Sequence, residues 1–208
     1  MKVVAISGMV GTGKTTLCKA LSSLTGWEVV QEDAKQNAFL PLFYDQMDRW
    51  ALASQLSFMT SKTERLEKAL AGGGEVILVD RTIQEDFHVF GSVLKKYDII
   101  SSNEYELLEK IYAVLERSWP RTDLNIYLED TDENCFNRVL GRGDAFESKM
   151  EFGYIQTVGA EYRKWKATFL RDPYYEIQPD SMDFREQTNV ESVLETVRLL
   201  LGSAALKS

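Results

Sequence analysis

Short apolar runs alternate with longer amphipathic stretches along the whole chain. Val3–Ile6, Glu28–Val30, Val76–Val79 and Leu124–Leu128 are compact and rich in β-branched residues, the pattern of strands buried on both faces. Tyr175–Ile177 is a weaker fifth run. Apolar residues recur at helical spacing over Lys14–Leu24, Gln46–Leu70, Gln84–Lys96, Asn103–Arg117, Thr131–Leu140, Ser148–Leu170 and Val190–Leu201. Ala71-Gly72-Gly73-Gly74 ends the second helix ahead of the third strand, because glycine readily takes the left-handed conformation that closes a helix. Alternation of this kind predicts parallel strands joined by right-handed crossovers, hence an α/β fold. The expected architecture is a doubly wound five-stranded parallel sheet with helices on both faces. No internal repeat or low-complexity segment breaks the pattern, so one domain is expected over residues 1–208, with a flexible tail from about residue 202. Such sheets bind ligands beyond the carboxyl ends of their strands.

The first such end carries Gly8-Met9-Val10-Gly11-Thr12-Gly13-Lys14-Thr15, a match to GxxxxGK[ST] between a strand and a helix. The glycines let backbone N–H groups turn inward around a phosphate, and the helix N-terminus adds its partial positive charge. Lys14 is placed to reach the β- and γ-phosphates, and Thr15 to put its hydroxyl on Mg²⁺; Thr16 belongs to the same phosphate-binding set. The motif predicts a P-loop NTPase-type sheet and names phosphate, not the reaction. A small GTPase needs an Asn-Lys-x-Asp sequence to read its base, and the chain has none. A motor ATPase needs coupling domains, for which 208 residues leave no room.

Composition narrows the class further. With 44% apolar and 27% charged residues the chain reads as a soluble globular protein. Its net charge of −8 argues against nucleic acid or a membrane surface as partner, so an anionic substrate must meet a local basic cluster. No apolar stretch is long enough to span a bilayer, and the chain starts directly on a strand pattern, so neither anchor nor signal peptide is expected and the location is cytoplasmic. Cys18 and Cys135 are too far apart for a metal-ligand spacing and read as reduced, buried thiols. His88, the only histidine, falls mid-helix and reads as structural.

Trp27-Glu28-Val29-Val30-Gln31-Glu32-Asp33, then Phe43-Tyr44, Arg49-Trp50 and Gln55, then Asp80-Arg81-Thr82 with Asp86, then Arg138, Arg142-Gly143 and Glu147 follow one another in a specific order. Together they resemble the deoxyribonucleoside kinase family, which includes deoxycytidine, deoxyguanosine and deoxyadenosine kinases. The resemblance runs from the first strand to about Trp165. It implies transfer of the γ-phosphoryl of ATP to the 5′-hydroxyl of a deoxynucleoside, in nucleotide salvage. Glu32 is then the general base, Arg81 binds Glu32 and the moving phosphoryl, and Asp80 helps Thr15 place Mg²⁺. Arg138 and Arg142, one helical turn apart, form a lid over the donor phosphates, within about residues 138–149. Tyr44 and Glu147 hold the sugar 3′-hydroxyl, while Arg49, Trp50, Gln55, Lys62, Asp86 and Phe90 line the acceptor site. Asp144 stands where the family usually carries another arginine, which implies either a weaker hold of the lid on the γ-phosphoryl or Lys149 in that role, and Lys62 stands where arginine is common. The helices Gln46–Leu70 and Asn103–Arg117 resemble the pair that makes the family's homodimer.

Asp86 accepts hydrogen bonds only, so it suits the exocyclic amine of adenine or cytosine better than the O4 carbonyl of thymine. Lys62 lies seven residues after Gln55 on the same helical face and is placed to neutralise Asp86 across the base slot. Met47, Phe58 and Met59 are expected in the core or the base slot. Two other readings compete. A nucleoside monophosphate kinase of the thymidylate kinase-like type needs extra basic residues near its acceptor, and Arg49, Lys62 and Arg65 are available. Glu32, however, would repel an acceptor phosphate. A non-catalytic nucleotide-binding regulatory module is the third reading, disfavoured by the joint presence of Lys14, Glu32, Asp80 and Arg81.

Overall fold

β1 (Lys2–Gly8) runs through the middle of a five-stranded sheet, between β3 (Val76–Asp80) and β4 (Leu124–Leu128). β2 (Glu28–Val30) borders β3, and β5 (Tyr174–Ile177) borders β4. All pairings are parallel, with Ile6 opposite Asp80 on one side and Ile126 on the other. The computed structural model describes residues 1–31, 36–141, 151–171 and 173–204.

Side chains alternate across the sheet, and each face finds its own cover. Val4, Ile6, Leu78 and Ile126 pack with Leu17 and Leu21 of α1 (Lys14–Thr25) and with Val193 and Val197 of α9 (Gln187–Ala204). On the opposite face Val3, Ile77 and Val79 meet Leu66 and Ala69 of α3 (Met47–Gly72). Met9 and Tyr127 meet Tyr162 and Trp165 of α8 (Phe152–Phe169) there. Because both faces of β1 and β3 are covered, their carboxyl ends are the rim on which a ligand site can open.

The expected sheet and helix order hold, with differences that have physical causes. A short helix, α2 (Leu40–Asp45), precedes α3; one and a half turns are too few to show a period, and Pro41 in its first turn is the only start signal. α3 reaches Gly72, and Gly73 closes it at φ 75° in the left-handed region. The helix after β3 is not uniform: α4 (Ile83–Glu85) opens into a π-helical stretch, Asp86–Gly91, before α5 (Ser92–Lys96). α6 (Ser102–Ser118) starts on a capping box in which the Ser101 N–H donates to Glu104 at 2.7 Å. α7 (Asp132–Gly141) follows β4. α8 begins at Phe152; Ser148–Met150, expected in it, lie outside the described residues. α9 starts before Val190 and runs on to Ala204, past the expected onset of a tail. Met47 is 42% exposed, against expectation, whereas Met59 is fully buried and Phe58 half-buried. Among the described residues no helix is long and apolar enough to cross a membrane.

Candidate active site

The phosphate loop leaves β1 under tight steric control. Gly8 has φ 137°, and a Cβ there would stand 2.5 Å from the Leu128 carbonyl oxygen. Gly11, at φ 88°, would place a Cβ 2.6 Å from the Cys135 carbonyl oxygen. Neither position admits a side chain, so β4 and α7 themselves shape the loop. The Thr12 hydroxyl donates to the Met9 carbonyl at 2.8 Å, and the Lys14 ammonium donates to the carbonyls of Gly8 at 2.7 Å and Met9 at 2.8 Å. Lys14 is thereby folded back over the loop. Val10 is half-buried, while Thr15 and Thr16 face solvent at the helix start.

β3 delivers the next group to the same edge. Thr15 Oγ1 donates to Asp80 Oδ2 at 2.6 Å, so the hydroxyl and carboxylate assigned to a metal meet each other directly. Hard oxygen donors of this kind fit Mg²⁺, which is commonly held by one or two protein oxygens together with substrate phosphates. Arg81 follows in the left-handed region at φ 67°, a conformation that costs a non-glycine residue of order 1–3 kcal/mol. Its N–H donates to the Ile6 carbonyl at 3.1 Å, which ties the turn to β1. The buried guanidinium lies 4.5 Å from the centre of the Phe90 ring. Phe90 lies within the π-helical stretch.

α3 and the π-helical stretch, which carry residues expected at the acceptor, pack against each other. Lys62 Nζ donates to Asp86 Oδ2 at 2.6 Å, and both side chains are 2% exposed. Phe58, Ser61, Lys62 and Arg65 border a small cavity closed on its other side by Gln31, Gln36 and Asn37. Arg65 Nη1 donates to the Gln31 carbonyl at 2.9 Å, anchoring the chain as it leaves β2. Gln55 and Tyr44 are half-buried. The Trp50 ring stacks on Phe39 at 5.8 Å between centroids, and the exposed Arg49 covers its other contact, with its guanidinium 5.1 Å from the ring centre.

Arg138 of α7 reaches the loop from the other side. It donates to the Gly11 carbonyl at 3.4 Å, and it is paired with Asp130 and with Asp180, the latter at 2.6 Å. Asn134 donates to both of these acids. Glu32, Arg142, Asp144, Glu147 and Lys149 lie outside the described residues.

A family model described as deoxynucleoside kinase matches residues 4–201. The chain belongs to the deoxynucleoside kinase family. It is thus an ATP-dependent phosphotransferase with a deoxynucleoside as acceptor. The match continues well past Trp165, so β5 and α9 share in the resemblance. This kinase is 25% identical over 198 residues to the deoxyadenosine/deoxycytidine kinase of Bacillus subtilis, covering 94% of this chain and 91% of that one. It is 27% identical over 159 residues to the deoxyguanosine kinase of the same organism, covering 76% and 75%. Its fold is that of a deoxyadenosine kinase from M. mycoides solved with bound dATP, at a TM-score of 0.81 and 23% identity, covering 94% and 99%.

Two features of the kinase's site escaped the sequence reading. Asp130 and Asp180, partners of Arg138, come from the ends of β4 and β5 and carry no motif. Glu85, adjacent to Asp86, is wholly buried and collects hydrogen bonds from β1, from the turn after β3 and from α8. Only the reach-back of Glu85 to the Thr82 N–H, three residues before it, has a local signature. The remaining expectations for buried groups hold: Cys18 and Cys135 are free and buried, and burial first, then Asp130, pushes the Cys135 thiol up to about 12.

Proposed function

We propose that this kinase uses ATP with Mg²⁺ and acts through the residues that gather along the carboxyl edge of β1 and β3. The supporting observation is the order of groups on that edge: phosphate loop with Lys14, Thr15 against Asp80, Arg81, then the Lys62–Asp86 pair. That is the order of donor phosphates, transfer point and acceptor base. The Thr15 hydroxyl and the Asp80 carboxylate would hold Mg²⁺, which would supply positive charge to the donor phosphates. Lys14 and Arg81 hold the γ-phosphoryl through its loose transition state, and the lid arginines Arg138 and Arg142 close over it. A free glutamate carboxylate, with a pKa of about 4.3, is too weak to strip an alcohol outright, so Glu32 aligns the 5′-hydroxyl and takes the proton as the new bond forms. Tyr44 and Glu147 hold the 3′-hydroxyl, and the Tyr44 ring beside C2′ disfavours ribose. Gln55, Asp86 and Lys62 read the base, while Phe90, Trp50 and Arg49 enclose it.

The kinase acts in the cytoplasm, in nucleotide salvage, as a homodimer. Leu107 and Val114, 46% and 62% exposed, lie two turns apart on α6, which packs against α3. They offer an apolar stripe for a second copy. The test compares specificity constants for deoxyadenosine, adenosine and the deoxynucleoside monophosphates. Strong use of deoxyadenosine, with weak use of adenosine and no use of monophosphates, is expected. Preferential use of a monophosphate would make the chain a nucleotide kinase, and equal use of adenosine would remove the role given to Tyr44.

A further inference from the structure

Glu85 sits where the start of the phosphate loop, the turn after β3 and α8 meet. Its side chain is 0% exposed. Oε1 accepts from the Ser7 hydroxyl at 2.8 Å, the Thr82 N–H at 2.9 Å and the Thr82 hydroxyl at 3.3 Å. Oε2 accepts from the Gly8 N–H at 3.4 Å and the Tyr162 hydroxyl at 3.1 Å. Two of the donors are backbone groups, one at the first residue of the phosphate loop and one beside Arg81. Hydroxyls can rotate to accept instead; backbone N–H groups cannot. Only a carboxylate satisfies both N–H groups with separate accepting oxygens.

Neither backbone group has slack. Gly8 is wedged against Leu128, where even a methyl group would collide. Arg81 is held at φ 67° by contacts on both sides, its own N–H on Ile6 and the following N–H on Glu85. Strain of that kind persists only where the surroundings over-determine it. Tyr162 links the same carboxylate to α8, the helix that follows the lid segment.

We propose that Glu85 is a positioning residue, whose carboxylate fixes the phosphate loop and the Arg81 turn in register and ties both to α8. The inference rests on the assignment of Arg81 and the phosphate loop to the reaction centre.

Glu85→Gln tests it. The amide keeps the size of the side chain but presents an NH₂ group to either the Thr82 or the Gly8 N–H. Displacement of a transfer geometry by a fraction of an ångström to an ångström costs about 10- to 100-fold, so kcat should fall by that much. The KM for the deoxynucleoside should stay within about twofold, because the Lys62–Asp86 pair is untouched. A folded variant with wild-type kcat and only a lower Tm would make Glu85 a buried structural acid and overturn the proposal; so would a loss confined to the deoxynucleoside KM. If Glu85→Gln fails to fold, Tyr162→Phe decides. It removes one donor from Oε2 and leaves the carboxylate. A several-fold lower kcat at unchanged deoxynucleoside KM supports the proposal, and an unchanged kcat overturns it. Arg81→Ala is measured alongside: wild-type turnover there would remove Arg81 from the reaction centre and the proposal with it.

Discussion

Lys62 and Asp86 form an ion pair at 2.6 Å that is almost wholly withdrawn from water, joining α3 to the first turn of the π-helical stretch. Removing one partner of such a pair strands the other charge, at a cost of about 3–5 kcal/mol. Asp86→Ala should therefore lower the unfolding free energy by an amount in that range, measurable by urea denaturation. Wild-type enzyme should use thymidine most poorly of the four deoxynucleosides, since an ionised carboxylate repels the O4 carbonyl. The same variant should change that ranking. An unchanged ranking in a folded Asp86→Ala would show that Asp86 does not read the base.

Lys14→Ala and Arg81→Ala should each reduce turnover at least about 100-fold, because charge placed at the transferring group supplies most of the rate enhancement. Circular dichroism should report a native fold in each variant. Wild-type-like kcat in either would refute the assignment.

Glu32→Gln should retain deoxynucleoside binding and lose roughly 10²–10⁴ in kcat, since the nearly isosteric amide cannot take the proton. Steady-state kinetics separates the roles. A loss seen only in KM would make Glu32 a binding residue.

His88 lies edge-on to Tyr112 and stacked on Phe169 at 4.0 Å, and burial lowers its pKa, with Glu116 and Glu109 opposing. The unfolded chain then takes up the proton first as pH falls through about 6.5, so the folded state loses stability below that pH and keeps it above. Tm should drop between pH 7.5 and 5.5. His88→Phe, which keeps a ring against Phe169, should flatten that part of the dependence. An identical slope in the variant would assign the loss to other groups.

The readable parts of the fold were those whose geometry is fixed by neighbours in sequence. The glycine spacing of the phosphate loop dictates its conformation, and Thr15 beside Asp80 was implied by the family resemblance, which gave both residues to one metal. Lys62 against Asp86 followed from counting helical turns from Gln55 once the resemblance had set Gln55 and Asp86 at the base slot. Glu85 was not readable, because its partners Ser7, Gly8 and Tyr162 are 77 or 78 residues away, and the phosphate-loop motif that opens on Gly8 specifies no carboxylate partner. Asp180 meets Arg138 across 42 residues for the same reason. Local signals also failed where the element was short or irregular. α2 has no room for a period, and nothing in Asp86–Gly91 distinguishes a π-helical stretch from an α-helix.

The most direct test of a phosphoryl transfer from ATP to a nucleoside alcohol is the destination of the label from γ-labelled ATP incubated with deoxyadenosine and Mg²⁺. The label should appear in deoxyadenosine 5′-monophosphate, in one-to-one yield with ADP. Label recovered only as inorganic phosphate, or transferred only when a monophosphate replaces the nucleoside, would contradict the account.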